Sequence, residues 1–204
     1  MTKTSSYSSA YRAEVAIHRI LHADVEGARA ALKDCGSDAR TGLVLAHVAA
    51  YAARTGDLEF AHALIDQAER CSTDDSASYI QCRRNFIVVA KRLMGEACDE
   101  AIGLEFAQGE WENQSLIADT AVAHLFLGEI SEAFAQIHTA KSGIWWHDIA
   151  EFIVQLFQTD DLEVLRRFAG DFKGSEHIQH FDVLEAARVA FAGARCARRR
   201  ARIA

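Results

Sequence analysis

The 204-residue chain contains no proline at all, so its strongest helix breaker is missing. β-Branched residues dominate no window, and no stretch reads as a sheet. Cysteine is sparse and scattered: Cys35, Cys71, Cys82, Cys98 and Cys196 are odd in number and form no C-x-x-C pair. That pattern argues against a disulfide framework and against a zinc ribbon. Apolar runs are short, none approaching the roughly 18 residues of a spanning helix. The opening MTKTSSYSSAYR is polar and lacks the apolar centre of a signal peptide, so the expected address is the cytoplasm. Phosphate-cradling glycine loops (G-x-x-x-x-G-K, G-x-G-x-x-G) and the G-x-S-x-G nucleophile elbow are absent as well.

What remains is helical material. Half the residues are apolar and a quarter charged, the balance of a globular protein. Alanine, leucine, glutamate and arginine, all good helix formers, carry the chain. The net charge of −7 is uneven. Arg188–Ala204 holds six arginines and no acid, leaving the first 187 residues at −13 (16 basic, 29 acidic). An acidic body repels nucleic acid, whereas a basic end attracts phosphates, anionic lipid or an acidic partner.

Apolar residues at three- and four-residue spacing predict one helix after another. The first covers Tyr7–His22 and the second Val25–Asp34. After CGSD, where Ser37 or Asp38 can cap, a third runs to RTGD, where Gly56 can close it. A fourth covers Leu58–Arg70, and a fifth reaches Met94 after CSTDDS. Helices at 96–108, 112–127, 130–142, 145–158 and 161–170 follow, with a last one from KGSE to about Cys196. Short breaks force neighbours to pack antiparallel. No linker marks a boundary, so residues 1–196 read as one domain and 197–204 as a basic tail.

The breaks themselves repeat. ADVEGA (23–28), GDLEFA (56–61), EACDEA (96–101), GEISEA (128–133) and DDLEVL (160–165) each separate two predicted helices. Four end on a small residue: Ala28, Ala61, Ala101 and Ala133. Seven residues ahead of the breaks stand Ala16, Ala49, Val89, Ala121 and Ile153, mostly small enough for close helix approach. This pattern resembles the tetratricopeptide repeat, a helix–turn–helix unit of about 34 residues. The match is best at 43–69 (Ala49, Gly56, Ala61, Ile65, Ala68) and at 115–141 (Ala121, Gly128, Ala133, Ile137, Ala140). Residues 10–35 match through Ala16, Ala28 and Leu32. Leu165 departs from the pattern at 145–172, Glu105 at 82–108, and the family's tryptophan and repeat-ending proline are missing.

The resemblance implies an all-α, right-handed superhelix of about five antiparallel helix pairs with a C-terminal capping helix. It further implies a concave groove lined by the first helix of each pair. The groove residues would be Ala50, Arg54, Arg83, Phe86, Ala90, Val122, Leu125, Phe126, Val154 and Phe157, flanked by Ile17, Ile20, Leu21, Ala46, Ala53, Leu93, Ala118, His147 and Ala150. An apolar groove needs a cover. The cover would be a partner protein's amphipathic helix, or the chain's own FDVLEAARVAFAGA segment. The expected function is therefore a non-catalytic scaffold, adaptor or chaperone-like protein. The pattern is compatible with a homo-oligomer.

Two rival functions are also legible. The tail arginines Arg195, Arg198, Arg199, Arg200 and Arg202 could grip nucleic acid or an anionic surface, though no aromatics interleave them for base stacking. His18 and His22 stand at i,i+4, a workable metal spacing, and Glu176, His177 and His180 cluster, as a small metalloenzyme would need. Neither group has the internal glutamate of H-E-x-x-H or an identifiable third ligand, so no metal, cofactor or catalytic residue is expected. Asp74–Asp75 and Asp160–Asp161 fall at predicted helix starts, where the dipole explains them. Trp145 and Trp146, about 100° apart on a helix, cannot share one face, so one could anchor a partner.

Overall fold

The computed structural model describes residues 6–33, 35–74, 77–103 and 110–139, together with residues 144, 145, 155, 178 and 179. Among them lie seven helices: α1 (Ser6–Leu21), α2 (Val25–Leu32), α3 (Ala39–Thr55), α4 (Leu58–Glu69), α5 (Ala77–Leu93), α6 (Glu110–Phe126) and α7 (Ile130–His138). No helix among the described residues is long and apolar enough to cross a membrane. Helix dominates the described residues, as the all-α expectation requires, with one two-residue strand pair beside it. Two compact units emerge, Met1–Leu116 and Ile117–Ala204. Their division falls inside α6, where no linker composition could mark it.

Local chemistry sets the helix ends of the first unit. The side chains of Asp24, Asp38 and Asp57 accept hydrogen bonds from the N–H groups of Gly27 (2.9 Å), Thr41 (2.7 Å) and Phe60 (3.1 Å). Each fills one of the donors that a helix start leaves unsatisfied. The C-termini are built alike. Ala23, Gly56, Gly95 and Gly128 all take positive φ, at 58°, 87°, 78° and 75°. The N–H of the acidic residue after each (Asp24, Asp57, Glu96, Glu129) donates to the carbonyl five positions back, on Arg19, Ala52, Lys91 and His124. This 6→1 bond is the Schellman closure. The four closures stand 33, 39 and 33 residues apart. Four of the five expected breaks thus begin with the same turn, the third starting at Gly95 rather than at Glu96, and the fifth, 160–165, lies outside the described residues.

Packing in this unit centres on α3, which contacts α1, α4 and α5, while α1 also packs on α2. Leu45, Ala46, Val48, Ala49, Ala50, Tyr51 and Ala52 are buried around most of its circumference. The alanines explain how three neighbours fit around one helix. Ala16, Ala28, Ala49 and Ala61, the small residues of the repeated breaks, are fully buried. Gly42 permits another close approach: a methyl group there would lie 2.8 Å from Cδ of Arg83 and 2.9 Å from Cβ of Cys71.

The helix expected at 96–108 does not form over residues 96–103, which carry no regular secondary structure. Gly95 ends α5, and the returning segment is then held by α5 itself. Asn85 and Gln81, both buried, donate to the carbonyl of Gly103 at 3.0 and 3.3 Å, and Asn85 accepts from its N–H at 3.2 Å. Arg84 bonds the Glu100 carboxylate at 2.9 Å, and Arg92 reaches the Glu100 carbonyl at 2.7 Å. These side chains take up backbone groups that a helix would otherwise use. Ala101, expected at a close helix contact, is exposed.

In the second unit, α6 and α7 bury Ala118, Ala121, Val122, Leu125 and Phe126 from one helix and Ala133, Phe134 and Ile137 from the other. GEISEA copies GDLEFA in pattern, but Glu129 carries one more methylene than Asp57. Its carboxylate makes no cap and meets Nδ1 of His124 at 2.7 Å instead. A two-residue parallel pairing joins β1 (Ile144–Trp145) to β2 (Ile178–Gln179), with Ile144 opposite Ile178. Trp145 therefore does not begin a helix, and Ile178 and Gln179 do not belong to the one expected after KGSE. Isoleucine and tryptophan suit paired strands well, and so short an element leaves no period-two signal to read. The remaining expected helical positions from 146 onward lie outside the described residues, apart from helical Gln155.

Candidate functional site

The residues expected to line an open groove are, where described, mostly core. Ala50, Arg83, Phe86, Ala90, Val122, Leu125 and Phe126 are buried, as are Ile20, Ala46, Ala53 and Ala118. Arg54, Ile17 and Leu93 are half-buried, and Leu21 is exposed. The Phe86 ring stands 4.4 Å from the His47 ring, which in turn lies 5.4 Å from Tyr51, so these side chains stack across α3 and α5. Arg83 extends to the end of α4 and donates to the carbonyls of Cys71 and Ser72, each at 3.2 Å. It braces one helix against another instead of facing outward. An apolar period marks a buried face, and it does not say whether the cover is a partner or the chain itself.

A different face is open. On α1, Ala13, Ala16 and Ile20 are buried against the unit. At 100° per residue the opposite side carries Tyr11, Val15, His18 and His22. Tyr11 is 69% exposed, His18 and His22 are exposed, Val15 is half-buried, and neighbouring Leu21 is 51% exposed. Tyr11, Val15, His18, Arg19, His22 and Asp24 line a shallow depression of about 500 Å³. Its two imidazole rings stand 4.5 Å apart, tilted by 48°. At its rim Arg19 pairs with Asp24 at 2.5 Å. That guanidinium, then the Gly27 N–H, hold the Asp24 carboxyl below its ordinary value of 3.8.

No family model, curated protein or solved structure matches the chain. Function must therefore be read from the surface itself. A second depression, about 440 Å³ between α2 and α4, is lined in part by Arg29, whose guanidinium lies 4.5 Å above the Phe60 ring. The described cysteines 35, 71, 82 and 98 are free thiols. Burial raises the Cys71 thiol above its usual range, the reverse of what a nucleophile needs. Among the described residues no group of three or more His, Cys, Asp or Glu is placed to hold a metal.

Of the remaining expected site residues, Val154, Phe157, His147, Ala150, the Glu176, His177 and His180 cluster and the five tail arginines lie outside the described residues. Of the outward stripe of α1, the sequence pattern singled out His18 and His22 but not Tyr11 and Val15. The stripe's 4-3-4 spacing was visible. The repeat alignment drew attention to the adjacent stripe, Ile17, Ile20 and Leu21, because that alignment fixes which helix face should point inward.

Proposed function

We propose that the chain is a non-catalytic protein–protein interaction module, and that it receives an amphipathic helix of a partner along the outward face of α1. The supporting observation is the stripe Tyr11–Val15–His18–His22, flanked by Leu21, on the side of α1 opposite its packing face. α3 lies between α1 and α5 in contact with both, and α1 has no further helix of its unit beyond it among the described residues. A partner helix laid there would continue that row by the same packing that seats α1 on α3. A helix that merely ended the row would have no use for an exposed tyrosine and leucine on this side. Tyrosine is among the side chains that give most to such contacts, and Leu21 adds apolar area beside it.

The interaction class is the one expected from the sequence, but the contact moves from the inner groove to the end of the row. A paired substitution, Tyr11→Glu with Leu21→Glu, tests it, because both side chains are exposed and the fold should persist by circular dichroism. A protein retained by the native chain at high salt should be lost with the variant, and its binding should slow amide exchange at residues 11–22. Equal retention by a folded variant, or slowed exchange confined to other residues, would overturn the proposal.

A further inference from the structure

We propose that His18 and His22 form an open, two-imidazole site for a late first-row divalent ion, copper(II) foremost. One helical turn separates the two residues, so their rings project from the same side of α1. An imidazole bound through one nitrogen places its ring centre about 3.2 Å from the ion, from a bond of about 2.0 Å and a ring radius of about 1.2 Å. Two such rings at right angles around one ion stand about 4.5 Å apart, the arrangement of adjacent positions in a tetragonal complex. The observed separation of the ring centres is 4.5 Å. The ring centres thus stand at the separation of two imidazoles on adjacent positions of one ion.

The surroundings suit an exchangeable site and not a closed one. Both rings are exposed and share the depression with Tyr11 and Val15. The cation lining it is Arg19, and its charge is offset by Asp24 at 2.5 Å. That same contact, with the Gly27 N–H, occupies the Asp24 carboxylate, which therefore supplies no third ligand. Two protein nitrogens with water in the other positions leave magnesium and calcium poorly served, since those ions need oxygen donors. Imidazole affinity peaks at copper(II) along the divalent series.

The site goes beyond the interaction reading and can be tested on the purified chain without any partner. Copper(II), zinc(II) and magnesium(II) would be titrated calorimetrically at pH 7.4, with an electron paramagnetic resonance spectrum at one equivalent of copper. The expected result is one copper per chain in a nitrogen-coordinated spectrum, weaker zinc and no magnesium. His18→Ala or His22→Ala should each lower copper affinity at least about tenfold, because each removes one of two metal–nitrogen bonds. His62→Ala and His138→Ala, at exposed histidines elsewhere, should leave it unchanged. Undiminished copper binding in the folded His18→Ala/His22→Ala chain, or no nitrogen-coordinated copper at one equivalent, would overturn the proposal. Either result leaves the partner contact to its own test.

Discussion

Asn85 holds Gly103 by both ends of its backbone: the side-chain amide donates to the carbonyl at 3.0 Å and accepts from the N–H at 3.2 Å. A buried amide pairing in this way imitates a strand partner for a single residue. Gln81 reinforces it, reaching both the Gly103 carbonyl and Oδ1 of Asn85. Together with Arg84 and Arg92 on Glu100, the pair keeps residues 96–103 laid back along α5.

Asn85→Ala should therefore release the segment. Leaving two part-buried backbone groups without this partner costs about 1–3 kcal/mol of stability. Urea denaturation would show the loss, and amide exchange at Gly103 and Glu100 should accelerate while α3 stays protected. Asn85→Asp should fare no better, because a carboxylate cannot donate to the Gly103 carbonyl. Unchanged exchange at Gly103 in either variant would mean that Arg84 and Arg92 suffice to hold the segment.

Ala23 is the only described non-glycine residue at positive φ, in a position that Gly56, Gly95 and Gly128 fill elsewhere. A left-handed alanine carries a steric cost of about 1 kcal/mol that glycine avoids. Glycine's greater freedom in the unfolded chain offsets part of this. The side chain of Ala23 is exposed, so its removal sacrifices no packing. Ala23→Gly should raise stability by a few tenths to about 1 kcal/mol, read as a later urea midpoint at unchanged slope. A loss of stability would show that the closure after α1 is not the same device as the other three.

Helix ends and tertiary contacts differ in how far they can be read from the sequence. Asp38 as a cap and Gly56 as a closure were legible because they are local: an Asp three residues ahead of a helical N–H, or a Gly after a helical run, is visible in a short window, whereas a closure on Ala23 carries no such mark. The break after α5 was legible too, but the conformation of residues 96–103 was not. EACDEAIGLEFA has strong helix formers, and only Asn85 and Gln81, some 18–22 residues away, take up the backbone of Gly103. Propensity gives way there to a tertiary contact. The site was harder still. Periodicity identified Phe86 and Phe126 as apolar-face residues, but burial by the chain and burial by a partner leave the same pattern.

Asp24 supplies a pH dependence of known sign. Its folded carboxyl is held below 3.8, first by the Arg19 hydrogen bond and then by the Gly27 N–H. A depressed value means that its stabilising contribution is complete above the ordinary carboxylate range and is lost as pH falls through the folded value. Asp24→Asn keeps an oxygen for the Gly27 N–H but removes the charge that Arg19 faces. The native chain should be the more stable at pH 7, and the two should converge as pH drops below about 3.8, the ordinary value. Parallel denaturation curves from pH 7 to pH 2 would show this, and a constant gap across that range would refute it.

Phe86 and Leu21 separate the two possible contact faces. Both belong to the inward stripe expected from the repeat pattern, yet Phe86 is 1% exposed and Leu21 is 51% exposed. Phe86→Ala should remove about 3–5 kcal/mol by lost transfer energy and an unfilled cavity beside His47. That is a large share of a domain's whole margin, so partial unfolding is expected near physiological temperature. Leu21→Ser should change stability by less than about 0.5 kcal/mol, as exposed substitutions do. If the outward face of α1 is the contact, Leu21→Ser weakens partner binding in a chain that melts normally. The inner face would instead be implicated if Leu21→Ser left binding intact while Phe86→Leu, a milder core change, abolished it without unfolding the chain.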